Sequence, residues 1–134
     1  MTQQIIDAIN TLGNFCGKRD IEELTTSALT KKYNITQADI FVLFGGSIIC
    51  GGDVLAKAIQ NKIAKYYIIV GGAGHTTQTL REKVYAEYPS IITEGLTEAE
   101  IFNQYLKENY KLQADYLETK STYQAKLILN EDNT

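Results

Sequence analysis

Residues 67–77, Tyr-Ile-Ile-Val-Gly-Gly-Ala-Gly-His-Thr-Thr, decide how the chain is interpreted. The apolar residues that precede Gly71 have the β-branched character of a strand buried in a sheet. The glycines that follow are typical of a tight connection from a strand into a helix. The only histidine of the chain, His75, comes next. The segment therefore predicts either a turn that cradles a ligand phosphate beside a functional histidine, or simply a strand-to-helix connection.

The same pattern occurs once before along the chain. Residues 40–44, Ile-Phe-Val-Leu-Phe, form an apolar run that suits a strand buried on both faces, and Gly45 and Gly46 follow. Between the two runs, residues 53–63 place an apolar stripe at helical spacing: Val54, Leu55, Ala58, Ile59 and Ile63. A strand, a helix and a strand over about 30 residues have the size of a βαβ unit.

Further elements extend this unit in both directions. Residues 77–87 and 98–109 predict two more helices, and residues 114–118 predict a third, shorter strand. Upstream, residues 3–16 have helical spacing, and a capping box at Asp20 and Glu23 predicts a second helix that ends near Asn34. The expected fold class is α/β, a Rossmann-like parallel sheet of three strands flanked by helices, with N-terminal helices.

Size, charge and cysteines narrow the class of protein. The 134 residues, 44% of them hydrophobic, suffice for a single domain, with a helical segment at 1–36 and a βαβ core at 37–134. Lysines and arginines number 13 against 16 aspartates and glutamates, a formal net charge of −3 that argues against nucleic acid as a partner. Cys16 and Cys50 fit no metal spacing, so no metal is predicted and both are interpreted as core thiols. With no apolar run of membrane-spanning length, a cytoplasmic location without membrane contact is expected.

Right-handed crossovers place the carboxyl ends of all strands on one edge of the sheet, where open α/β folds bind ligands. Three motifs are predicted to meet there: Gly45-Gly46-Ser47, Gly71-Gly72-Ala73-Gly74-His75 with Thr76 and Thr77, and Glu118-Thr119-Lys120-Ser121-Thr122. Backbone N–H groups of such glycines can approach a ligand closely. The edge is therefore the candidate ligand site.

Two nucleotide-binding motifs are approached but not matched. Residues 46–51 have the GxxxxG spacing of a nucleoside triphosphatase loop, but Gly52 and Asp53 stand where that loop needs Lys and Ser or Thr. Residues 72–77 begin like the dinucleotide fingerprint, but Thr77 replaces its third glycine. The missing Lys and Ser or Thr exclude a nucleoside triphosphatase of this type. The missing third glycine leaves only weak support for an ordinary dinucleotide-binding dehydrogenase. For both glycine loops, ligand contact and a purely structural turn stay open as alternatives.

Polar side chains at this edge add candidate functions. His75 is interpreted as a ligand contact, and as a candidate for acid/base catalysis near neutral pH. Thr97 and Glu100 have capping-box spacing. Glu98 is then left either to stabilise the positive end of the helix dipole or to face the ligand crevice. Glu118, at the end of the third strand, can accept hydrogen bonds from ribose hydroxyls or from a cationic group. For Ser121, a helix cap is the leading role and ligand contact the second.

Several of these stretches resemble, in the same order, the YdcF-like proteins, part of a wider bacterial group of unknown function that includes SanA and ElyC. They are Ile5-Ile-Asp-Ala-Ile-Asn, Asp39-Ile-Phe-Val-Leu-Phe-Gly-Gly-Ser47, Gly71-Gly-Ala-Gly-His-Thr-Thr77, Gly95-Leu-Thr-Glu98-Ala and Glu118-Thr-Lys-Ser121-Thr122. The resemblance implies a Rossmann-like domain that binds S-adenosylmethionine, with no established transferase reaction. The site it implies consists of Gly45, Gly71, Gly72, Gly74, His75, Glu98, Glu118, Ser121 and Thr122.

The expected function is binding of a nucleoside-type small molecule such as S-adenosylmethionine. The alternative is a transferase or hydrolase that acts on a nucleotide or a cell-envelope precursor, with His75 as the acid or base. YdcF-like proteins are considerably longer, and after Thr122 they usually continue with Asn where this chain has Tyr123, so the chain resembles an N-terminal half. A three-stranded parallel sheet leaves an edge uncovered, so we expect either a homo-oligomer or a missing C-terminal segment.

Overall fold

The structure, a computed structural model, describes residues 1–118, with side chains described for residues 1–114. Its helices are α1 (Gln3–Cys16), α2 (Thr26–Tyr33), α3 (Cys50–Gln60), α4 (Thr77–Glu87) and α5 (Glu98–Tyr110), and its strands are β1 (Ala38–Phe44), β2 (Ala64–Gly71) and β3 (Asp115–Glu118). The prediction of a mixed α/β chain with a parallel sheet is confirmed. Within residues 1–118, no helix combines the length and the apolar composition needed to cross a membrane.

The sheet has the strand order β1-β2-β3, and each pair of neighbours is parallel. Phe41 lies beside Tyr67 in the β1–β2 register, and Val70 lies beside Leu117 in the β2–β3 register. The Gly45 N–H donates to the Val70 carbonyl at 2.7 Å, so the pairing of β1 with β2 continues past the end of β1. The carboxyl ends of β1 and β2 therefore lie side by side.

The hydrophobic core lies on one face of the sheet. Because side chains alternate along a strand, Phe41 and Leu43 of β1 and Tyr67 and Ile69 of β2 point to the same side. They pack with α3, α4 and α5, which contribute to this cluster the buried apolar residues Leu55, Ala56, Leu80, Val84, Ala99, Ile101, Phe102, Tyr105 and Leu106. A smaller cluster joins Leu29 of α2 to the same face. Helices α2, α3, α4 and α5 therefore all pack on the same face of the sheet.

The opposite face of the sheet is largely exposed within the described part of the chain, although Val70, at the carboxyl end of β2, is buried there. Ile40 and Phe44 of β1 are 52% and 71% exposed, and Tyr66 of β2 is 61% exposed. The prediction that residues 40–44 form a strand buried on both faces is therefore wrong for the residues that the structure describes. The apolar run could not reveal this difference, since it only shows that both faces are suited to burial.

The boundaries of two helices differ from the predictions. α2 begins at Thr26 because the Thr25 hydroxyl accepts from the Ala28 N–H at 3.2 Å, and Asp20 caps no helix. α3 begins at Cys50, earlier than expected, and ends at Gln60. Ile63 therefore lies after the helix, buried in the smaller core cluster rather than on the predicted stripe.

Both cysteines are exposed, and their interpretation as core thiols is wrong. Cys16 is the last residue of α1, a helix in which no residue is buried. Cys50 is the first residue of α3 and lies on its solvent side. Small apolar residues suit a core, but neither position faces one here.

Each strand is entered through a residue in the left-handed backbone region. Asn34 precedes β1, Lys62 precedes β2 and Lys111 precedes β3, with φ of 55°, 55° and 56°. Asn34 and Lys111 cap the ends of α2 and α5, where a left-handed residue turns the chain sharply out of a helix. These three joints lie at the amino ends of the strands, opposite the candidate site.

Candidate functional site

The amino end of α5 lies over the carboxyl ends of β1 and β2. The Glu98 N–H donates to the Gly72 carbonyl at 3.0 Å, which ties the helix to the loop after β2. The predicted capping box is present: the Thr97 hydroxyl accepts from the Glu100 N–H, and the Glu100 carboxylate accepts from the Thr97 N–H at 2.8 Å. With Glu100 occupied in the cap, Glu98 is the carboxylate of this turn that faces the strand ends.

The Glu98 side chain lies in a notch between Gly45 and Gly71. A methyl group on Gly45 would stand 2.7 Å from Glu98 Oε2, and one on Gly71 would stand 2.9 Å from Glu98 Cβ. Both distances are too short for real contacts, so these two positions need glycine for α5 to approach. Gly45 and Gly71 therefore have a packing role whether or not a ligand binds. We call the Glu98 side chain with these two glycines the Glu98 notch.

Thr77 connects the loop after β2 to the Glu98 notch; the sequence placed its hydroxyl at this edge beside His75 but assigned it no contact. Its hydroxyl donates to Glu98 Oε1 at 3.0 Å and accepts from the Gly74 N–H at 2.8 Å. The side chain is buried, with 1% exposed. In the dinucleotide fingerprint, Thr77 stands where the third glycine would be. Here that threonine orients the carboxylate and fixes the loop.

The remaining residues of the loop are exposed. A methyl group on Gly74 would contact nothing within 4 Å, so the described structure leaves room above this backbone. His75 and Thr76 are exposed, and no hydrogen bond joins the His75 side chain to residues 1–114. Since no contact orients the imidazole, the arrangement gives the acid/base alternative no specific support.

The first glycine loop divides into parts with different roles. Gly46, like Gly74, has open space around it. Ser47 lines a groove of about 420 Å³ whose other walls come mainly from α4, with Leu80, Lys83, Val84 and Glu87 among them. Gly51 and Gly52 belong to α3. A methyl group on Gly52 would stand 2.6 Å from the Tyr105 ring, so this glycine serves the close packing of α3 on α5.

Asp53 is held between α3 and α5 rather than at the glycine loop. The hydroxyls of Tyr105 and Tyr110 both donate to its Oδ1, with a distance of 2.5 Å for Tyr105. Burial, together with the hydrogen bond to Asp53, raises the pKa of Tyr105. The hydrogen bond to Asp53 is also the main cause that raises the pKa of Tyr110. Both hydroxyls therefore keep their protons and stay donors to the carboxylate.

The third predicted motif is placed only through its first residue. Glu118 pairs with Gly71 in the β2–β3 register, so its backbone lies beside the Glu98 notch. The Glu118 side chain is outside the described side chains, and Ser121 and Thr122 are outside the described residues. Their predicted contacts remain predictions.

Glu98 and Asp53 are not neutralised by cations in the described side chains. Across residues 1–114, the one salt bridge joins Lys65 to Asp39. The same part of the chain contains no group of three or more side chains able to hold a metal ion. The strand-end edge thus offers a carboxylate, a threonine relay and accessible backbone.

Comparison with known proteins gives no relative. No protein-family model, no curated protein and no solved structure matches this chain.

Proposed function

We propose that the chain binds a small molecule with a nucleoside part at the carboxyl ends of β1 and β2, with Glu98 as the anchoring acceptor. The observation that carries the proposal is the geometry of the Glu98 carboxylate. Thr77 holds Oε1, whereas no donor to Oε2 is found among residues 1–114. A carboxylate placed at strand ends and held on one side is suited to accept hydrogen bonds from ribose hydroxyls or an amine.

The strand order supports a Rossmann-like architecture as part of the proposal. Parallel strands in the order β1-β2-β3 correspond to one mononucleotide-binding half of a doubly wound sheet. The run Gly71-Gly-Ala-Gly-His-Thr-Thr77 follows β2 directly, where such folds place ligand-binding loops. We therefore propose that the chain is a YdcF-like protein and that S-adenosylmethionine is the first ligand to test.

The charge of the edge favours a cationic or neutral ligand over a phosphorylated one. Glu98 lies in the first turn of α5 and Asp53 in the first turn of α3, so each carboxylate offsets the positive end of its helix. With this compensation, neither helix is a strong phosphate site. A sulfonium ligand is attracted by the Glu98 carboxylate, whereas the phosphates of ATP, NAD or a UDP-sugar are repelled.

Calorimetric titration of the full chain tests the proposal. We expect binding of S-adenosylmethionine, weaker binding of the neutral sulfide S-adenosylhomocysteine, and no heat with ATP, NAD or UDP-glucose. Glu98→Gln should lower the affinity about tenfold, equivalent to about 1.4 kcal/mol, because it removes the charge and keeps the shape. Glu108→Gln, on the exposed side of the same helix, is the matched control.

A thermal-shift measurement provides the second readout. A ligand present at about 100 times its Kd stabilises the folded state by about 2.7 kcal/mol, which raises Tm by several degrees. The absence of any shift across the nucleoside panel contradicts the proposal. A shift with ATP as large as that with S-adenosylmethionine contradicts the charge argument.

A further inference from the structure

α1 carries an apolar stripe on which nothing packs within residues 1–114. Ile5, Ile9 and Leu12 follow one another at helical spacing and are 49%, 54% and 64% exposed. Asp7 is the one charged residue among the 14 of this helix. Surface helices normally turn such a stripe toward a core and carry charges on the other side. The composition of α1 therefore indicates a helix that lies against another surface.

The open face of the sheet is the matching surface. It presents Ile40, Val42 and Phe44 of β1 beside Tyr66 and Ile68 of β2, and none of these belongs to the core clusters. Val70, next to Phe44 on the same face, is already buried. Parallel sheets are normally covered by helices on both faces. A strand of seven residues is about 23 Å long, and a helix of 14 residues is about 21 Å long. One helix of the length of α1 therefore covers the open face along its whole length.

The connection after α1 is too short for α1 to cover the sheet of its own copy. Ile21 and Leu24 pack with the cluster around Leu29, which lies on the covered side of the sheet. Residues 17–21 span at most about 17 Å when fully extended. Helix layers on opposite faces of a sheet lie roughly 20 Å apart, and the chain would also have to pass around an edge strand. A second copy faces no such limit.

We propose that two copies of the chain form a dimer in which α1 of each copy packs on the open sheet face of the other. The exchange is symmetric, so one two-fold assembly covers both apolar surfaces of both copies. Two helix-on-sheet contacts of about 21 Å by about 10 Å remove roughly 840 Å² of surface from water when both partners are counted, which corresponds to an interface at the small end of the known range. The sequence predicted either association with another copy or a missing C-terminal segment, and this arrangement assigns the two surfaces that the first alternative requires.

Light scattering after gel filtration tests the arrangement with the full chain, whose monomer mass is 15.0 kDa. The unaltered chain should elute with twice that mass. Ile9→Lys in α1 and Phe44→Glu on the sheet should each give a monomer. Both positions are exposed in one copy, so circular dichroism and thermal unfolding should show an intact fold. Asn14→Lys, on the polar side of α1, is the matched control and should remain a dimer.

Mixing the two monomeric variants distinguishes this dimer from other pairings. In a mixed pair, one helix-on-sheet contact is unaltered and the other brings the new lysine to the new glutamate, so the mixture should recover the dimer mass. A monomeric unaltered chain would overturn the proposal. So would a Phe44→Glu chain that stays dimeric, because that dimer would pair α1 with α1 and leave the sheet open.

Discussion

Tyr105→Phe should lower the free energy of unfolding by about 1.5 to 2 kcal/mol. The hydroxyl of Tyr105, whose side chain is 4% exposed, donates to Asp53 Oδ1 at 2.5 Å. A hydrogen bond to a charged group contributes about 1.5 to 3 kcal/mol, and the lower part applies because Tyr110 still donates to the same oxygen. The aromatic ring is retained, so its edge-to-face contact with Tyr88 persists and no cavity forms.

Urea unfolding followed by circular dichroism measures this loss in two backgrounds. In the Asp53→Ala background, the Tyr105 hydroxyl has no carboxylate to donate to. The same Tyr105→Phe change should then lower the free energy of unfolding by less than about 0.5 kcal/mol. An equal loss in both backgrounds would refute the assignment of the stability to this hydrogen bond. Tyr85→Phe, at an exposed position of α4, is the control and should leave the urea midpoint unchanged.

Gly45→Ala should lower the free energy of unfolding by roughly 1 to 3 kcal/mol, because the added methyl group overlaps Glu98. Gly46→Ala is the control: its added methyl group has nothing within 4 Å, so Tm in thermal unfolding should be nearly unchanged. Thr77→Val removes the hydroxyl between Glu98 and the loop after β2, which should cost about 1 to 3 kcal/mol in urea unfolding, while Thr77→Ser should retain most of the stability. Because the pKa of Tyr105 is raised above its unfolded value of 10.0, the stability it contributes is complete below that pH and is lost as the pH rises further. Thermal unfolding at increasing alkaline pH should show this decline, and Tyr105→Phe should make it shallower; an unchanged slope would contradict the reasoning.

Most of the fold could be predicted because hydrophobic periodicity reports directly on helices and strands. α4 occupies the predicted residues 77–87, and the capping box of α5 is where spacing placed it. The start of α2 could not be predicted, since Asp20 and Glu23 imitate a cap and local spacing does not show that Thr25 is the residue used. The open sheet face was missed because coverage depends on which elements pack there.

The candidate site could be predicted only where local sequence patterns determine the position of a residue. Glu98 could be predicted because Glu100 belongs to the capping box, which leaves one free carboxylate in the first turn of α5. Its position between Gly45 and Gly71 depends on how α5 approaches the sheet, a tertiary contact without a sequence signature. The role of Thr77 was missed for the same reason, since its partner Glu98 is 21 residues away in the chain.

The left-handed residues before the strands affect stability, and they lie far from the Glu98 notch, where a ligand is proposed to bind. A lysine held in the left-handed region costs about 1 kcal/mol, so glycine at Lys62 or Lys111 is an inexpensive route to a more heat-resistant chain. These joints lie at the amino ends of the strands and the Glu98 notch at the carboxyl ends. Directed evolution can therefore first strengthen one end of the sheet and then alter ligand preference at the other, with little interference between the two searches.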